Sequence, residues 1–429
     1  MMRRLLPCLT LLLVGMAAAD EPFLIGTTTH LKDGSPALER TFQLAGEAGI
    51  NAVREDAYWA RVELQRGQMQ IPDTWRDYQA AVKAHGMNNM VILDYSNQYY
   101  DNALPRTASV RNGFALYVDY VTRALAGQAN FYEIWNEWDL AGAADRALSD
   151  DYITLVNATA TQLHQSDPKA RILAGSVTTE GLNKGFADRL IEGGLADRVD
   201  GLSLHPYVHC AGNSGKTPES WIKWLGATDQ RLTRLAGKPV PLYLTEMGWP
   251  TANEPCGVDE TTQAMFLARA YFLAKTLPSI KGMWWYDLVN DGTDPTEREH
   301  NFGLLRQDLT PKPAYQVLKA IAPVLSQYRY NNQKSLLGDN LYLLNFDKGN
   351  DQVLVAWSVA GKAVVKIEAN GRLHGAVRAL NTQHPERGLA AVGQWQCPKA
   401  EEEHCTTVIT LTDFPQIISL GDASWLFTR

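Results

Sequence analysis

The chain has 429 residues, of which 45% are hydrophobic and 20% are charged, as in an ordinary globular protein large enough for more than one domain. Its formal net charge is −7, and no run rich in lysine and arginine occurs. This charge argues against a nucleic-acid partner and does not favour a strongly acidic polysaccharide. Twelve tryptophans and seventeen tyrosines provide rings that can pack in a core or stack on a ligand.

The N-terminus has the features of an export signal. Arg3 and Arg4 are followed by the apolar run "LLPCLTLLLVGM", and the small residues of "AAAD" predict cleavage before Asp20. The apolar run is too short for a comfortable membrane span. We therefore expect residues 1–19 to be a cleaved signal peptide and the mature chain to be periplasmic or secreted.

The five cysteines fit an oxidising compartment. Cys8 belongs to the predicted signal, which leaves an even number. Cys397 and Cys405 flank a short segment and are expected to form one disulfide, which leaves Cys210 and Cys256 for the other. Four free thiols are the alternative, but an oxidising compartment disfavours them.

Eight strand-like runs then alternate with amphipathic, helix-like stretches such as 36–49, 73–86 and 259–275. The runs are "FLIGTTTH" (23–30), "INAVRED" (50–56), "NMVILDYS" (89–96), "NFYEIWNE" (130–137), "RILAGSV" (171–177), "VDGLSLHPY" (199–207), "PLYLTEMGW" (241–249) and "IKGMWWYDL" (280–288). Apolar strands joined by helices predict parallel strands buried on both faces. Eight such units predict an α/β fold, the (β/α)8 TIM barrel.

An open doubly wound sheet is the alternative fold. However, "GTTTH" lacks the glycine spacing of a dinucleotide-binding turn, and the sequence contains no P-loop. From about residue 328 onward, short alternating runs such as "NLYLLNF" and "DQVLVAWSV" follow each other without helical patterns. They predict a C-terminal antiparallel β-sandwich. The expected domains are the signal peptide (1–19), the barrel (20–327) and the β-sandwich (328–429).

Polar residues collect at the predicted ends of the barrel strands, where the reactive face of such a barrel lies. They include Glu137 and Glu246, which end strands four and seven and should face each other across the mouth. Glycoside hydrolysis needs two carboxyl groups, held about 5–5.5 Å apart when anomeric configuration is retained. Two unrelated carboxylates paired with arginines are the alternative. The matched strand ends favour catalysis.

Three motifs, "WNEW", "LTEMGWP" and "NFGLLRQDLTPKPAY", resemble the clan A retaining glycoside hydrolases. In that clan Asn-Glu ends strand four and a second Glu ends strand seven, and the resemblance covers the whole barrel. It implies that Glu137 is the general acid/base and Glu246 the nucleophile. It also implies an enzyme rather than a catalytically idle carbohydrate-binding protein, which is the alternative.

Seven further residues are expected to bind the substrate: His30, Arg54, Asn136, His205, Tyr207, Trp284 and Trp285. The resemblance implies that Arg54 lies beside Glu246 and that Tyr207 donates a hydrogen bond to Glu246. It further implies that Asn136 binds the sugar 2-hydroxyl and that Trp284 or Trp285 forms the floor of the −1 subsite.

The two glutamates are expected to differ in protonation. Neighbouring carboxyl groups cannot both ionise comfortably, so that one of them should keep its proton near neutral pH. Arg54 would favour the charged form of Glu246, whereas Trp135 and Trp138 would disfavour a charge on Glu137. We expect no metal and no organic cofactor. Although His205 and His209 are spaced like a metal pair, no carboxylate or cysteine cluster completes a shell.

Within clan A, the size, the export signal, the C-terminal β-domain and the "SLHPY" strand end are most similar to family 39. Family 5-like glycanases share most of the same motifs. The family 39 resemblance implies an exported endo-acting enzyme that hydrolyses a biofilm exopolysaccharide. We expect a monomer with a polysaccharide partner and no nucleic acid. A scaffold role in exopolysaccharide export machinery is the second alternative.

Overall fold

The structure is a computed structural model that describes residues 22–35, 37–370, 375–397, 404–421 and 424–428. The predicted signal peptide lies outside these residues. Within the described chain, no helix is both long enough and apolar enough to cross a membrane.

Eight parallel strands form a closed barrel in the order β1-β8-β7-β6-β5-β4-β3-β2, which confirms the predicted fold. The strands are β1 (Leu24–Thr28), β2 (Ala52–Asp56), β3 (Asn88–Leu93), β4 (Phe131–Ile134), β5 (Arg171–Thr178), β6 (Gly201–His205), β7 (Leu242–Met247) and β8 (Ile280–Trp285). All of them are buried for most of their length, which explains why they read as apolar runs.

Helices follow the strands and supply the outer layer and parts of the loops. They are α1 (Leu38–Glu47), α2 (Trp59–Val62), α3 (Asp73–Ala84), α4 (Ala108–Ala124), α5 (Arg146–Ser166), α6 (Thr179–Asn183), α7 (Phe186–Glu192), α8 (Gly212–Gly215), α9 (Pro218–Ala236), α10 (Glu260–Ala274) and α11 (Pro313–Gln327). Side chains fix several helix starts: Thr217 accepts a hydrogen bond from the Ser220 amide at α9, and Asp259 accepts one from Thr262 at α10.

The interior of the barrel has an apolar floor near the amino ends of the strands. It consists of Leu24, Ala52, Met90, Phe131, Leu173, Tyr243 and Trp284. Gly26 allows this packing, because a Cβ atom at position 26 would lie 2.3 Å from the Trp284 ring. The space above this floor is left to the polar side chains at the barrel mouth.

Strand β4 ends earlier than its sequence pattern predicts. The predicted run reaches Glu137, but the strand ends at Ile134, and Trp135 and Glu137 adopt φ angles of 65° and 49°. Such angles are uncommon for residues other than glycine, and each costs about 1–3 kcal/mol. Local strain of this kind is typical of functional sites, and here it occurs at the predicted acid/base.

The C-terminal region is an antiparallel β-structure of two sheets, as predicted. Its strands are β9 (Arg329–Leu337), β10 (Leu341–Lys348), β11 (Asp351–Ser358), β12 (Ala363–Asn370), β13 (Ala376–Asn381), β14 (Leu389–Gln394), β15 (His404–Leu411), β16 (Gln416–Gly421) and β17 (Ser424–Thr428). One sheet has the order β9-β10-β11-β16-β13-β14 and the other the order β15-β12-β17. The sequence patterns quoted above mark only some of these strands; β9 and β14 in particular are largely exposed and lack a clear alternation.

Two disulfides join the cysteines in the expected pairs. Cys210 and Cys256 connect the loops that follow β6 and β7, with their Cα atoms 4.6 Å apart. Cys397 and Cys405 form the other bond, between the loop after β14 and strand β15. The first bond ties together two loops at the barrel mouth.

A buried polar cluster connects the barrel to the C-terminal sheets. Arg269 of α10 lies 3.3 Å from Glu219 of α9 and donates two hydrogen bonds, of 2.9 and 2.6 Å, to the carbonyl oxygen of Asp413. The indole N–H of Trp357, on β11, donates to Glu219 at 2.9 Å. The two parts therefore share hydrogen bonds that only their packed arrangement satisfies.

Replacing Arg269 with Met should destabilise the whole chain by about 3–5 kcal/mol, because Glu219 would remain buried without its cation. Urea unfolding of wild type and variant measures the difference. Arg76→Met is the matched control, since Arg76 pairs with Asp73 on the surface and should contribute about 0–1 kcal/mol. Equal losses of unfolding free energy in the two variants would contradict a structural role for the buried cluster.

Candidate active site

A cleft of about 620 Å³ opens at the carboxyl ends of the barrel strands. It is lined by Thr28, His30, Lys32, Arg54, Asp56, Tyr58, Tyr95, Asn136, Glu137, Tyr207, His209, Glu246, Tyr286, Asp291, Glu299 and Phe302. Six of the nine predicted catalytic and substrate-binding residues are in this set. A larger depression of about 1080 Å³ lies against the loops after β7 and β8, but it shares no lining residue with the cleft.

Glu137 and Glu246 face each other across the cleft. One carboxylate oxygen of each residue and one ring nitrogen of His205 all lie within 4.8 Å of one another. Glu137 follows the end of β4, and Glu246 lies near the end of β7. The two carboxyl groups are therefore close enough to act on one bond.

Arg54 of β2 is fully buried and holds this arrangement together. Its Nε donates to Glu133 at 2.7 Å, one terminal nitrogen donates to Glu246 at 2.6 Å, and the other donates to the Asn136 side-chain oxygen at 2.8 Å. Burial opposes the charge of the guanidinium, but the carboxylates of Glu133 and Glu246 outweigh it and raise the pKa of Arg54.

Glu133 is the member of this cluster that sequence reasoning did not assign. It is completely buried on β4, and although burial would raise the pKa of its carboxyl, the Arg54 charge lowers that pKa overall. The signal was strand alternation, since Glu133 is two residues after Phe131 of the barrel floor and so faces the interior. A carboxylate facing that interior must have a cation.

Both oxygens of Glu246 accept hydrogen bonds. Arg54 binds one oxygen, and the Tyr207 hydroxyl donates to the other at 2.9 Å. Asn136 is fixed in the same way: its amide oxygen accepts from Arg54, and its amide nitrogen donates to the Tyr95 hydroxyl at 2.6 Å. The cleft thus presents these side chains in defined orientations.

The structure corrects the expected electrostatics of Glu137. Burial would raise the pKa of its carboxyl, but the hydrogen bond and charge of His205, 2.8 Å away, lower it. Trp135 and Trp138 are buried in the core, and neither lines the cleft. His205 also departs from its prediction as a substrate contact, because it is completely buried and does not line the cleft.

No protein-family model and no curated relative matches the sequence. Solved structures do match the fold. A family 39 glycoside hydrolase from the gut symbiont Bacteroides cellulosilyticus WH2 is 25% identical over 93% of this chain and 81% of that chain, with a TM-score of 0.76. This chain is a glycoside hydrolase that resembles the family 39 enzymes of clan A.

Two further structures share the fold at lower identity. A family 39 enzyme from Xanthomonas axonopodis pv. citri is 12% identical, with 94% of each chain covered and a TM-score of 0.62. A monomeric β-xylosidase from Caulobacter crescentus CB15 is 14% identical, with 94% of this chain and 96% of that chain covered and a TM-score of 0.60.

Trp284 and Trp285 do not reach the cleft of this glycoside hydrolase, so their prediction as sugar contacts is wrong. Trp284 packs in the barrel floor, and Trp285 lies outside the barrel against Trp249. Both are completely buried. The next residue, Tyr286, lines the cleft instead. The error is one of register, because sequence alone does not tell how far a strand runs before its side chains reach the mouth.

His209 is not arranged as a metal partner of His205. Its ring packs against Tyr207 and Phe302, and burial lowers its pKa to about 4. His205 instead contacts Glu137 and Thr245. The two histidines therefore contact different groups.

His30 lies at the cleft rim with two carboxylates. Its Nδ1 is 2.7 Å from Asp291 and 3.8 Å from Asp287. Burial would lower the pKa of His30, but the hydrogen bond to Asp291 and the charges of Asp287 and Asp291 outweigh it and raise that pKa to about 10. Asp291 and Glu299, which also line the cleft, were not predicted because they lie in the loop after β8.

The raised pKa of His30 predicts a pH-dependent contribution to stability. Because the folded value of about 10 exceeds the ordinary value of 6.5, the contribution is complete below pH 6.5 and disappears as the pH rises through 10. The difference in unfolding free energy between wild type and His30→Asn should shrink over that window. In an Asp291→Asn background, the same difference in unfolding free energy should change less with pH. A pH-independent difference in both backgrounds would refute this prediction.

Proposed function

We propose that this chain is an exported, retaining endo-β-glycosidase that hydrolyses an exopolysaccharide by double displacement. The observation that carries the proposal is the approach of the Glu137 and Glu246 carboxylate oxygens to within 4.8 Å. Retaining enzymes hold their carboxyl groups about 5–5.5 Å apart, whereas inverting enzymes leave about 6.5–9.5 Å for a water molecule. The short separation favours retention.

In the first step an oxygen of Glu246 attacks the anomeric carbon and the glycosidic bond breaks, while Glu137 donates a proton to the leaving oxygen. Arg54 and Tyr207 support this role of Glu246, because their hydrogen bonds fix both carboxylate oxygens and leave lone pairs for attack. Asn136, oriented by Arg54 and Tyr95, is the candidate partner of the sugar 2-hydroxyl.

The proton for this step belongs to the Glu137–His205 pair. Burial would lower the pKa of His205, but the charge of Glu246 and the hydrogen bond to Glu137 raise it. The raised pKa of His205 and the lowered pKa of Glu137 both favour an imidazolium beside a carboxylate in the open cleft. When a sugar displaces water, the neutral pair becomes favourable because burying two charges is costly, and the proton shifts from His205 Nδ1 to Glu137 along their 2.8 Å hydrogen bond.

In the second step Glu137 takes a proton from water, whose oxygen attacks the anomeric carbon and releases Glu246 with its electron pair. The substrate class rests on the family 39 resemblance and on the open cleft. Export is supported by the N-terminal sequence pattern and by two disulfides, which are rare in reducing compartments.

The roles of the two glutamates can be separated by azide rescue. In Glu137→Ala, azide should attack the glycosyl-enzyme and give a glycosyl azide of retained configuration. In Glu246→Ala, azide should enter the vacated space and give the inverted product. Before rescue, loss of the acid/base should lower turnover of unactivated substrates by about 10²–10⁴-fold. Product configuration is read by NMR.

Glu180→Ala, at an exposed glutamate paired with Lys184, is the control and should behave as wild type. A 2-deoxy-2-fluoro glycoside should label wild type at Glu246, whereas an idle carbohydrate-binding protein would remain unlabelled. Inverted product from wild type, or wild-type rates in either alanine variant, would overturn the assignment.

Endo action is motivated by aromatic side chains on several cleft loops, among them Tyr58, Tyr95 and Tyr286. Incubation with mannan, glucan, xylan and biofilm-type polymers should release oligosaccharides from the responsive polymer, with an early fall in viscosity. Chromatography that detects only monosaccharide from the start of digestion would contradict it.

A further inference from the structure

A second, smaller cavity adjoins the catalytic cleft at the loops after β1 and β2. This side pocket has a volume of about 340 Å³, at the lower end of the range of about 300–1,000 Å³ common for ligand pockets. Lys32, Asp56 and Tyr58 line both cavities, so the side pocket meets the cleft at these three side chains.

The three shared residues are held by one another. The Lys32 ammonium lies 4.4 Å from the centre of the Tyr58 ring, 3.3 Å from Asp56 and 3.6 Å from Glu55. A cation between an aromatic face and two carboxylates loses little freedom on binding a ligand. The boundary between cleft and side pocket is therefore preorganised, with donors and acceptors in place.

The remaining walls combine apolar and polar surface. Pro72 and the buried Trp75 supply apolar surface, and the Trp75 N–H is already bonded to the Asp56 carbonyl oxygen. Arg61 and Asp33 form an exposed ion pair of 3.3 Å at the rim. Sugar rings need this combination, because their C–H faces pack on apolar or aromatic surface while their hydroxyls bind charged groups.

The charges of the side pocket cancel. Lys32 and Arg61 contribute two positive charges, and Asp33 and Asp56 contribute two negative charges. A uronate or phosphate group would have to compete with the two carboxylates for the same cations. A neutral sugar meets no such competition.

We propose that the side pocket is a distal sugar subsite, which binds a neutral sugar residue of the substrate other than the one attacked by Glu246. This inference rests on the proposed function and deepens it, because it assigns the recognition of substrate length and composition to Lys32, Tyr58 and Arg61. The bound residue is either the next unit of the main chain or a branch, and both present the same ring chemistry.

The test fills the side pocket without touching the catalytic cleft. Thr74 lines the side pocket at its exposed rim, where its hydroxyl donates to the Lys32 carbonyl oxygen at 2.8 Å. Thr74→Trp should lower kcat/KM on neutral oligosaccharides by about tenfold or more, the smallest effect typical of a lost pocket contact. Hydrolysis of aryl monoglycosides, which occupy only the position over Glu246, should be unchanged.

Thr154→Trp is the matched control, because Thr154 is also exposed and also donates to a backbone carbonyl oxygen, on α5. It should leave both substrate classes unaffected. Arg61→Ala should reproduce the selective loss on oligosaccharides. Linear and branched oligosaccharides are assayed side by side: a loss on both classes identifies the main-chain unit, and a loss confined to branched ones identifies the branch.

Two results would overturn the subsite. One is equal loss by Thr74→Trp on monoglycosides and oligosaccharides, and the other is no loss on either. Wild type that hydrolyses no glycoside would instead refute the proposed function, and the subsite with it. Hydrolysis by wild type with no selective loss in the variants refutes the subsite alone.

Discussion

The fully buried guanidinium of Arg54 is the interaction on which the active site depends. It bonds to Glu133 on β4, to Glu246 on β7 and to Asn136 just after β4, and thereby links two strands across the barrel. A buried cation is costly unless carboxylates compensate it, and two are present here. The two carboxylates in turn depend on Arg54, because neither could remain charged in the barrel alone. Charge compensation thus fixes the position of Glu246 in the candidate active site.

The barrel separates two environments along its axis. At the amino ends of the strands, Phe131, Tyr243 and Trp284 fill the interior with apolar rings. Above them the interior contains charged groups, whose energies depend strongly on their exact partners because the surroundings exclude water. His205 shows the consequence: a completely buried imidazole that does not line the cleft lowers the pKa of Glu137, which does. The electrostatics of the barrel mouth therefore depend on residues that do not line it.

Sequence patterns predicted the eight barrel strands and the polar strand ends well, because a buried parallel strand must be apolar along its length and stops where side chains reach water. Glu137, Glu246, Arg54, Asn136 and Tyr207 follow from that rule together with the clan A motifs. The rule failed where geometry departs from a regular strand. Trp284 and Trp285 were placed too near the mouth. Glu133 was overlooked because its cation, Arg54, is distant in sequence.

The (β/α)8 barrel, the β-sandwich and the two candidate glutamates could be predicted from the sequence alone, since periodicity and strand-end chemistry are local properties of the chain. The neighbours of those glutamates could be identified only from the folded structure. The pKa of Glu137 depends on His205, which is 68 residues away in the sequence. The side pocket depends on the contact of Lys32 with Asp56 and Tyr58 across two loops. Coulomb energies and cavity shapes depend on distances in space, and the folding of the barrel sets those distances.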